Sequence, residues 1–339
     1  MIVQMRKTAN EREVQAVVSR IESLGFQSQI NRGAERTVIA VLGAGAGQCD
    51  TGGLEILAGV EEVVRMSKPF KLSSRDFKPE DTVVEIGLVQ VGGCDLVVMA
   101  GPCSVESESQ IMACAEFARS CGATVLRGGA FKPRTSPFAF QGLALEGLKL
   151  LAKAREETGL LVVTEVVSPE TVGMVAEYAD ILQIGARNMQ NYPLLDAVGR
   201  AKKPVLLKRG LSATVQEWLM AADYILQHNE TPNVILCLRG IRTFCTANRF
   251  TYDIGALPML RELTHLPIVV DPSHPAGNYR YVPALANMAV AGGCDGLIVE
   301  MHPNPAEALS DGAQSLAFGN FAVMMQGVRN IAEVVSMRI

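Results

Sequence analysis

The segment ATVLRGGAFKPRTSP, residues 123–137, carries one full passage from strand to ligand loop. Its first five residues are short and apolar and end on Arg127, as a strand buried on both faces does. The rest is rich in glycine, broken by proline, and carries Lys132, Arg134, Thr135 and Ser136. Glycines let backbone N–H groups come close to a ligand, while arginine and lysine supply the fork and the point charge that anionic oxygens need. A helical pattern then resumes over residues 143–157.

The same unit recurs downstream. Strands are predicted at residues 96–100, 124–127, 161–165, 181–184, 205–208, 234–238, 268–271 and 296–300, with helical patterns such as 109–120, 214–227 and 283–291 between them. This repetition predicts an α/β chain folded as a (β/α)8 TIM barrel over residues 95–339. A doubly wound open sheet has the same periodicity, which does not report closure. Upstream, a strand is predicted at 2–5 and a helix at 10–24, with Val14, Val17, Val18 and Ile21 on one face. Strands follow at 37–42 and 60–66, with a short helix starting at Leu54. This βαββαβ-like order suits a small N-terminal ferredoxin-like α+β domain over residues 1–70. The glycine-rich run 43–53 fails as a dinucleotide fingerprint, because Gln48 stands where the pattern needs glycine. Residues 71–94 form a linker and a hairpin.

The 339 residues are 48% hydrophobic with a net charge of −4, so the chain buries a large core and lacks the basic excess of a nucleic-acid binder. Basic residues gathered in one loop of an acidic chain suit a small anionic ligand. Eight cysteines without a CxxC pair, and an N-terminus without an apolar signal run, point to a cytoplasmic chain with reduced thiols. The longest weakly charged run, 281–294, is broken by Pro283 and Asn287 and is too short to span a membrane.

Barrel sites lie at the C-terminal ends of the strands. Two sets emerge there. Arg127, Lys132, Arg134, Arg187, Lys208 and Arg239 are cations drawn from several strands, enough for two anionic groups; the alternative is structural pairing with Glu165 or Asp271. Cys103, His274, Glu300 and Asp311 offer a thiolate, an imidazole and two carboxylates, a donor set for a divalent transition metal. Taken singly, Cys103 equally suits a core thiol and His274 a satisfied loop histidine.

The motifs GPCSVES (101–107), LRGGAFKPRTSP (126–137), IGARNMQN (184–191), LLKRG (206–210), LRGIRTF (238–244), DPSHPAG (271–277) and IVEMHPNPAEALSDGAQSL (298–316) resemble type I 3-deoxy-D-arabino-heptulosonate-7-phosphate (DAHP) synthases with an N-terminal ferredoxin-like domain. The resemblance implies condensation of phosphoenolpyruvate with erythrose 4-phosphate, the first step of the shikimate pathway. It assigns Arg127, Lys132, Arg187, Lys208 and Arg239 to phosphoenolpyruvate, and Arg134 and Thr135 to the aldose phosphate. It assigns Cys103, His274, Glu300 and Asp311 to one divalent metal ion, whether Mn, Fe, Co or Zn, that polarises the aldehyde. Lys132 is the candidate proton donor and Glu165 a candidate base for water. Cys245 is taken as structural. The resemblance further implies a homotetramer and a regulatory small domain that binds an aromatic amino acid effector. The nearest rival is 3-deoxy-D-manno-octulosonate-8-phosphate synthase, whose members carry a KANRSS-like segment where this chain reads KPRTS at 132–136.

Overall fold

A computed structural model describes residues 1–33, 36–46, 51–65, 68–132, 136, 138–229 and 231–339. Arg134 and Thr135, expected at the aldose phosphate, lie outside the described residues.

The N-terminal unit runs β1 (Ile2–Met5), α1 (Glu11–Ser23), β2 (Gln27–Arg32), β3 (Thr37–Leu42), α2 (Gly52–Glu55) and β4 (Val60–Val64), with sheet order β2-β3-β1-β4. Asn10 starts α1 through a capping box: its side chain accepts from Glu13 N at 3.1 Å, and Glu13 Oε2 accepts from Asn10 N at 2.9 Å. The apolar face of α1 packs on Val3, Met5, Ile39 and Val41. The sequence reading did not find β2. No residue of that strand is fully buried, and its sequence QSQINR carries one aliphatic residue, Ile30, so it shows no apolar alternation.

Eight parallel strands then close on themselves: β7 (Val97–Gly101), β8 (Val125–Arg127), β9 (Leu161–Val166), β10 (Ile181–Ile184), β11 (Val205–Lys208), β12 (Val234–Leu238), β13 (Ile268–Val270) and β14 (Gly296–Glu300). The pairing of β14 with β7, from Gly296↔Val97 to Glu300↔Gly101, closes the barrel and excludes the open sheet. Alternate side chains divide two cores, as period-two strands require. Met99, Val125, Val163, Ile181, Leu206, Ile235, Val269 and Ile298 fill the interior. Their neighbours along the strands face the surrounding helices, where Trp218 is buried and donates from Nε1 to the Leu207 carbonyl at 3.1 Å.

The hairpin β5 (Val84–Ile86) and β6 (Val89–Val91) turns Val84, Ile86 and Val91 into the interior cluster and plugs the N-terminal end of the barrel. The linker before it is anchored to the barrel. Phe70, Leu72 and Phe77 are buried in the outer core, and the Asp223 carboxylate accepts from the backbone N–H groups of Lys71 at 2.6 Å and Ser73 at 2.8 Å. Only one end of the barrel is therefore open. Among the described residues no helix is long and apolar enough to cross a membrane. Their seven cysteines are free, and Cys245 is exposed, so it packs in no core and is not the structural thiol expected.

Candidate active site

The open end gathers what the strand ends deliver. Arg127 closes β8, Lys208 closes β11 and Glu300 closes β14; Arg239 follows β12, Asp271 follows β13 and Arg187 follows β10. One pocket is lined by Arg127, Lys132, Glu165, Arg187, Lys208, Arg239, Arg249, Phe250, His274, Glu300 and Asp311. Gly185, at the top of β10, leaves room for the Glu165 carboxylate: a Cβ there would lie 2.0 Å from Glu165 Oε1 and would push that side chain aside.

The cations are not equivalent. Arg127 donates to Glu300 Oε1 at 2.7 Å, and Lys208 to Asp271 Oδ2 at 2.7 Å, each pair almost wholly buried. The pairing alternative thus holds for these two, with Glu300 rather than Glu165 as the partner of Arg127. Burial pulls the Arg127 pKa down, but Glu300 together with Cys103 and Asp271 outweighs it and the guanidinium ends above its ordinary value. Arg187 and Arg239 have no carboxylate partner among the described residues. Arg239 is buried, and burial holds it below its ordinary value. An unpaired buried guanidinium is costly, and an anionic ligand removes the cost.

Glu165 is the converse case, a pocket carboxylate with no ion pair among the described residues. Lys132 places Nζ 3.1 Å from both the carbonyl oxygen and Sγ of Cys103. Burial pulls its pKa down, but Cys103 and Glu165 outweigh it, so the amine stays charged.

Three of the four expected metal ligands converge. Cys103 Sγ and one oxygen each of Glu300 and Asp311 lie within 4.8 Å of one another. His274 stands at the edge of the group, with Nε2 3.8 Å from Glu300 Oε1 and Nδ1 2.7 Å from Asp271 Oδ2. Burial lowers its pKa more than Asp271 restores it, so the ring is neutral, as a ligand imidazole must be. Burial, reinforced by Glu300, pushes the Cys103 thiol up to about 11. A cation between these donors would replace the thiol proton and offset the crowded carboxylates, so the set fits a divalent metal with some preference for sulfur.

Sequence reasoning missed the residues that hold these donors. Gln314 Nε2 donates to Glu300 Oε2 at 2.5 Å, and its Oε1 accepts from Arg249 at 2.5 Å. Arg249 also donates to Asp311 Oδ1 at 3.2 Å. Ser273 Oγ accepts from Glu300 N at 3.0 Å, and Ser104 bonds Ser310 beside Asp311. Asp311 itself has φ of 52°, a left-handed conformation unusual outside glycine. Polar residues in loops carry no periodic signal, so only the packed structure reveals such contacts.

Residues 80–335 match the DAHP synthetase I family, and residues 1–68 match the DAHP synthase ferredoxin-like domain. A phospho-2-dehydro-3-deoxyheptonate aldolase of Thermotoga maritima is 47% identical over 339 residues, covering 100% of both chains. The crystal structure of a Thermotoga maritima DAHP synthase aligns over 99% of this chain and 98% of its own, with a TM-score of 0.79 and 46% identity. A 2-dehydro-3-deoxyphosphooctonate aldolase of Acidithiobacillus ferrooxidans is 34% identical over 256 residues, 70% of this chain and 90% of its own. With both units matched and a full-length relative near half identity, the chain belongs to the DAHP synthetase I family and carries that family's ferredoxin-like domain.

Proposed function

We infer that the chain condenses phosphoenolpyruvate with D-erythrose 4-phosphate and water, giving 3-deoxy-D-arabino-heptulosonate 7-phosphate and inorganic phosphate. The full-length match to a heptonate aldolase favours this over the eight-carbon rival, whose relatives match about three quarters of the chain or less. The observation that carries the assignment of roles is the division of the cations. Arg127 and Lys208 are each oriented and partly offset by a carboxylate, which suits the singly charged substrate carboxylate, while Arg187 and Arg239 keep their full charge for the phosphate.

In this reading Arg239 and Arg187 take the phosphate of phosphoenolpyruvate, while Arg127, Lys132 and Lys208 surround its carboxylate. Fixed cations hold the enol carbon in attack geometry and prepay the entropy of bringing two anions together. Cys103, His274, Glu300 and Asp311 would hold a divalent metal, which when bound supplies Lewis acidity at the aldehyde oxygen. Lys132, charged and 3.1 Å from Cys103 Sγ, donates a proton to the oxygen that was the aldehyde. Glu165, the pocket carboxylate without an ion pair, accepts a proton from the water that adds at C2 of phosphoenolpyruvate. Loss of inorganic phosphate from that carbon then yields the ketone product. Arg134 and Thr135 are assigned to the aldose phosphate.

Assembly as a homotetramer, a cytoplasmic location and inhibition by an aromatic amino acid belong to the same proposal; a separate ferredoxin-like unit supports the last. The deciding assay follows phosphoenolpyruvate consumption with erythrose 4-phosphate or arabinose 5-phosphate, before and after chelation and metal return. Turnover with the four-carbon sugar alone, lost on chelation and restored by metal, is expected. Turnover only with the five-carbon sugar rejects the substrate, and activity surviving complete metal removal rejects the metal site.

A further inference from the structure

Among the described buried cations of the pocket, Arg239 is the one whose guanidinium is met by a ring, that of Phe250; the exposed Arg249 lies farther from the same ring, 5.6 Å from its centroid. The Arg239 Cζ lies 4.2 Å from the centroid of Phe250, and its one hydrogen bond within the described residues is a 3.4 Å contact to the Gly240 carbonyl. Arg127 and Lys208 are oriented by carboxylates at 2.7 Å, which also offset part of the charge they offer an incoming anion. A π face orients a guanidinium from one side and leaves its N–H edge and its charge free.

The chain is shaped to place that ring. After β12 it leaves through Gly240, whose φ of +82° turns the backbone, and a Cβ there would lie 3.1 Å from Phe250 Cβ. The returning segment is fixed by an isolated bridge of paired backbone bonds between Ile241 and Thr251, at 3.0 and 2.9 Å, and Phe250 N donates to the Pro275 carbonyl at 3.3 Å. On one side of Phe250, Arg249 reaches Asp311 and Gln314; on the other, Tyr252 donates to the Leu285 carbonyl at 2.9 Å. The ring is thus held between two anchored neighbours and forms part of the pocket wall.

We propose that Phe250 is a positioning residue for phosphoenolpyruvate: its ring presets the Arg239 guanidinium for the substrate's phosphate without neutralising it. The proposal rests on the reading that Arg239 binds that phosphate. The contact is made before substrate arrives, so it acts by sparing the cost of ordering the guanidinium, and its whole worth, about two- to thirty-fold, is the upper bound on the effect on affinity.

The test measures phosphoenolpyruvate binding by calorimetry, without the aldose, for the full-length protein and the variants Phe250→Leu, Phe250→Trp, Arg239→Lys and Phe250→Leu/Arg239→Lys. Phe250→Leu should weaken phosphoenolpyruvate binding by up to about thirty-fold. The KM for erythrose 4-phosphate and the melting temperature should stay near wild type. Phe250→Trp, which keeps a π face, should restore binding. In the Arg239→Lys background the leucine substitution should add less than its effect alone, because the fork it orients is gone. Wild-type binding in Phe250→Leu overturns the proposal while Arg239→Lys still binds weakly; wild-type binding in Arg239→Lys overturns the underlying reading instead. Equal loss of binding and of melting temperature in the leucine and tryptophan variants assigns Phe250 to packing alone and also overturns the proposal.

Discussion

Acidification from about pH 7 to about pH 5 should cost on the order of 2 kcal/mol of stability through His265 alone. The ring is buried where the linker crosses the barrel, with Nδ1 2.8 Å from Thr82 Oγ1 and Nε2 2.8 Å from the Leu72 carbonyl. A carbonyl only accepts, so Nε2 carries the proton and Nδ1 accepts from the threonine hydroxyl. Burial is the main reason the charged form is disfavoured, and nearby Lys78 and Arg75 add to it, so the pKa falls from 6.5 to about 4. Because the folded value is depressed, the contribution is fully present above pH 6.5 and is lost as the pH falls towards 4, while the unfolded chain takes up a proton that the native one refuses. The whole gap is worth about 3 kcal/mol, of which roughly two thirds is lost by about pH 5. Urea unfolding of wild type and His265→Gln at both pH values isolates it, since carboxylate titrations are common to the two proteins. The glutamine variant should be less stable at neutral pH but lose about 2 kcal/mol less on acidification. Equal acid losses in the two proteins, or an NMR titration of the folded His265 ring near its ordinary value, would refute the reasoning.

Two further outcomes follow from buried contacts. Asp271→Asn leaves the Lys208 ammonium buried without its counter-charge and should cost about 3–5 kcal/mol by denaturant unfolding; a loss below about 1 kcal/mol would show that the pair contributes nothing net. Gln314→Ala frees Glu300 Oε2 and one contact of Arg249. It should weaken divalent metal binding by about 10- to 100-fold in competition with a chromogenic chelator, and unchanged affinity would remove Gln314 from the site.

Much of this was legible in the sequence because it is local. Strand-end residues such as Arg127, Lys208 and Glu300 announce themselves by where the apolar run stops, and the eight-fold recurrence of such runs announces the barrel. The face of α1 and its capping box are likewise written within one segment. Strand β2 escaped because QSQINR, with one aliphatic residue, lacks the alternation by which strands are recognised; its place is fixed by backbone pairing with β3.

The tertiary structure decided everything that depends on which distant groups meet. Charge alone could not say that Arg127 would be matched by Glu300, 173 residues away, while Arg239 would face a phenylalanine ring. Nor could it tell that Gln314 and Arg249 would brace two carboxylates across a loop. Sequence fixes the identity and spacing of charged groups, but whether each is a ligand, a brace or a counter-ion depends on distances of about 3 Å between strand ends and loops. Those distances are set only when β14 pairs with β7 and the barrel closes.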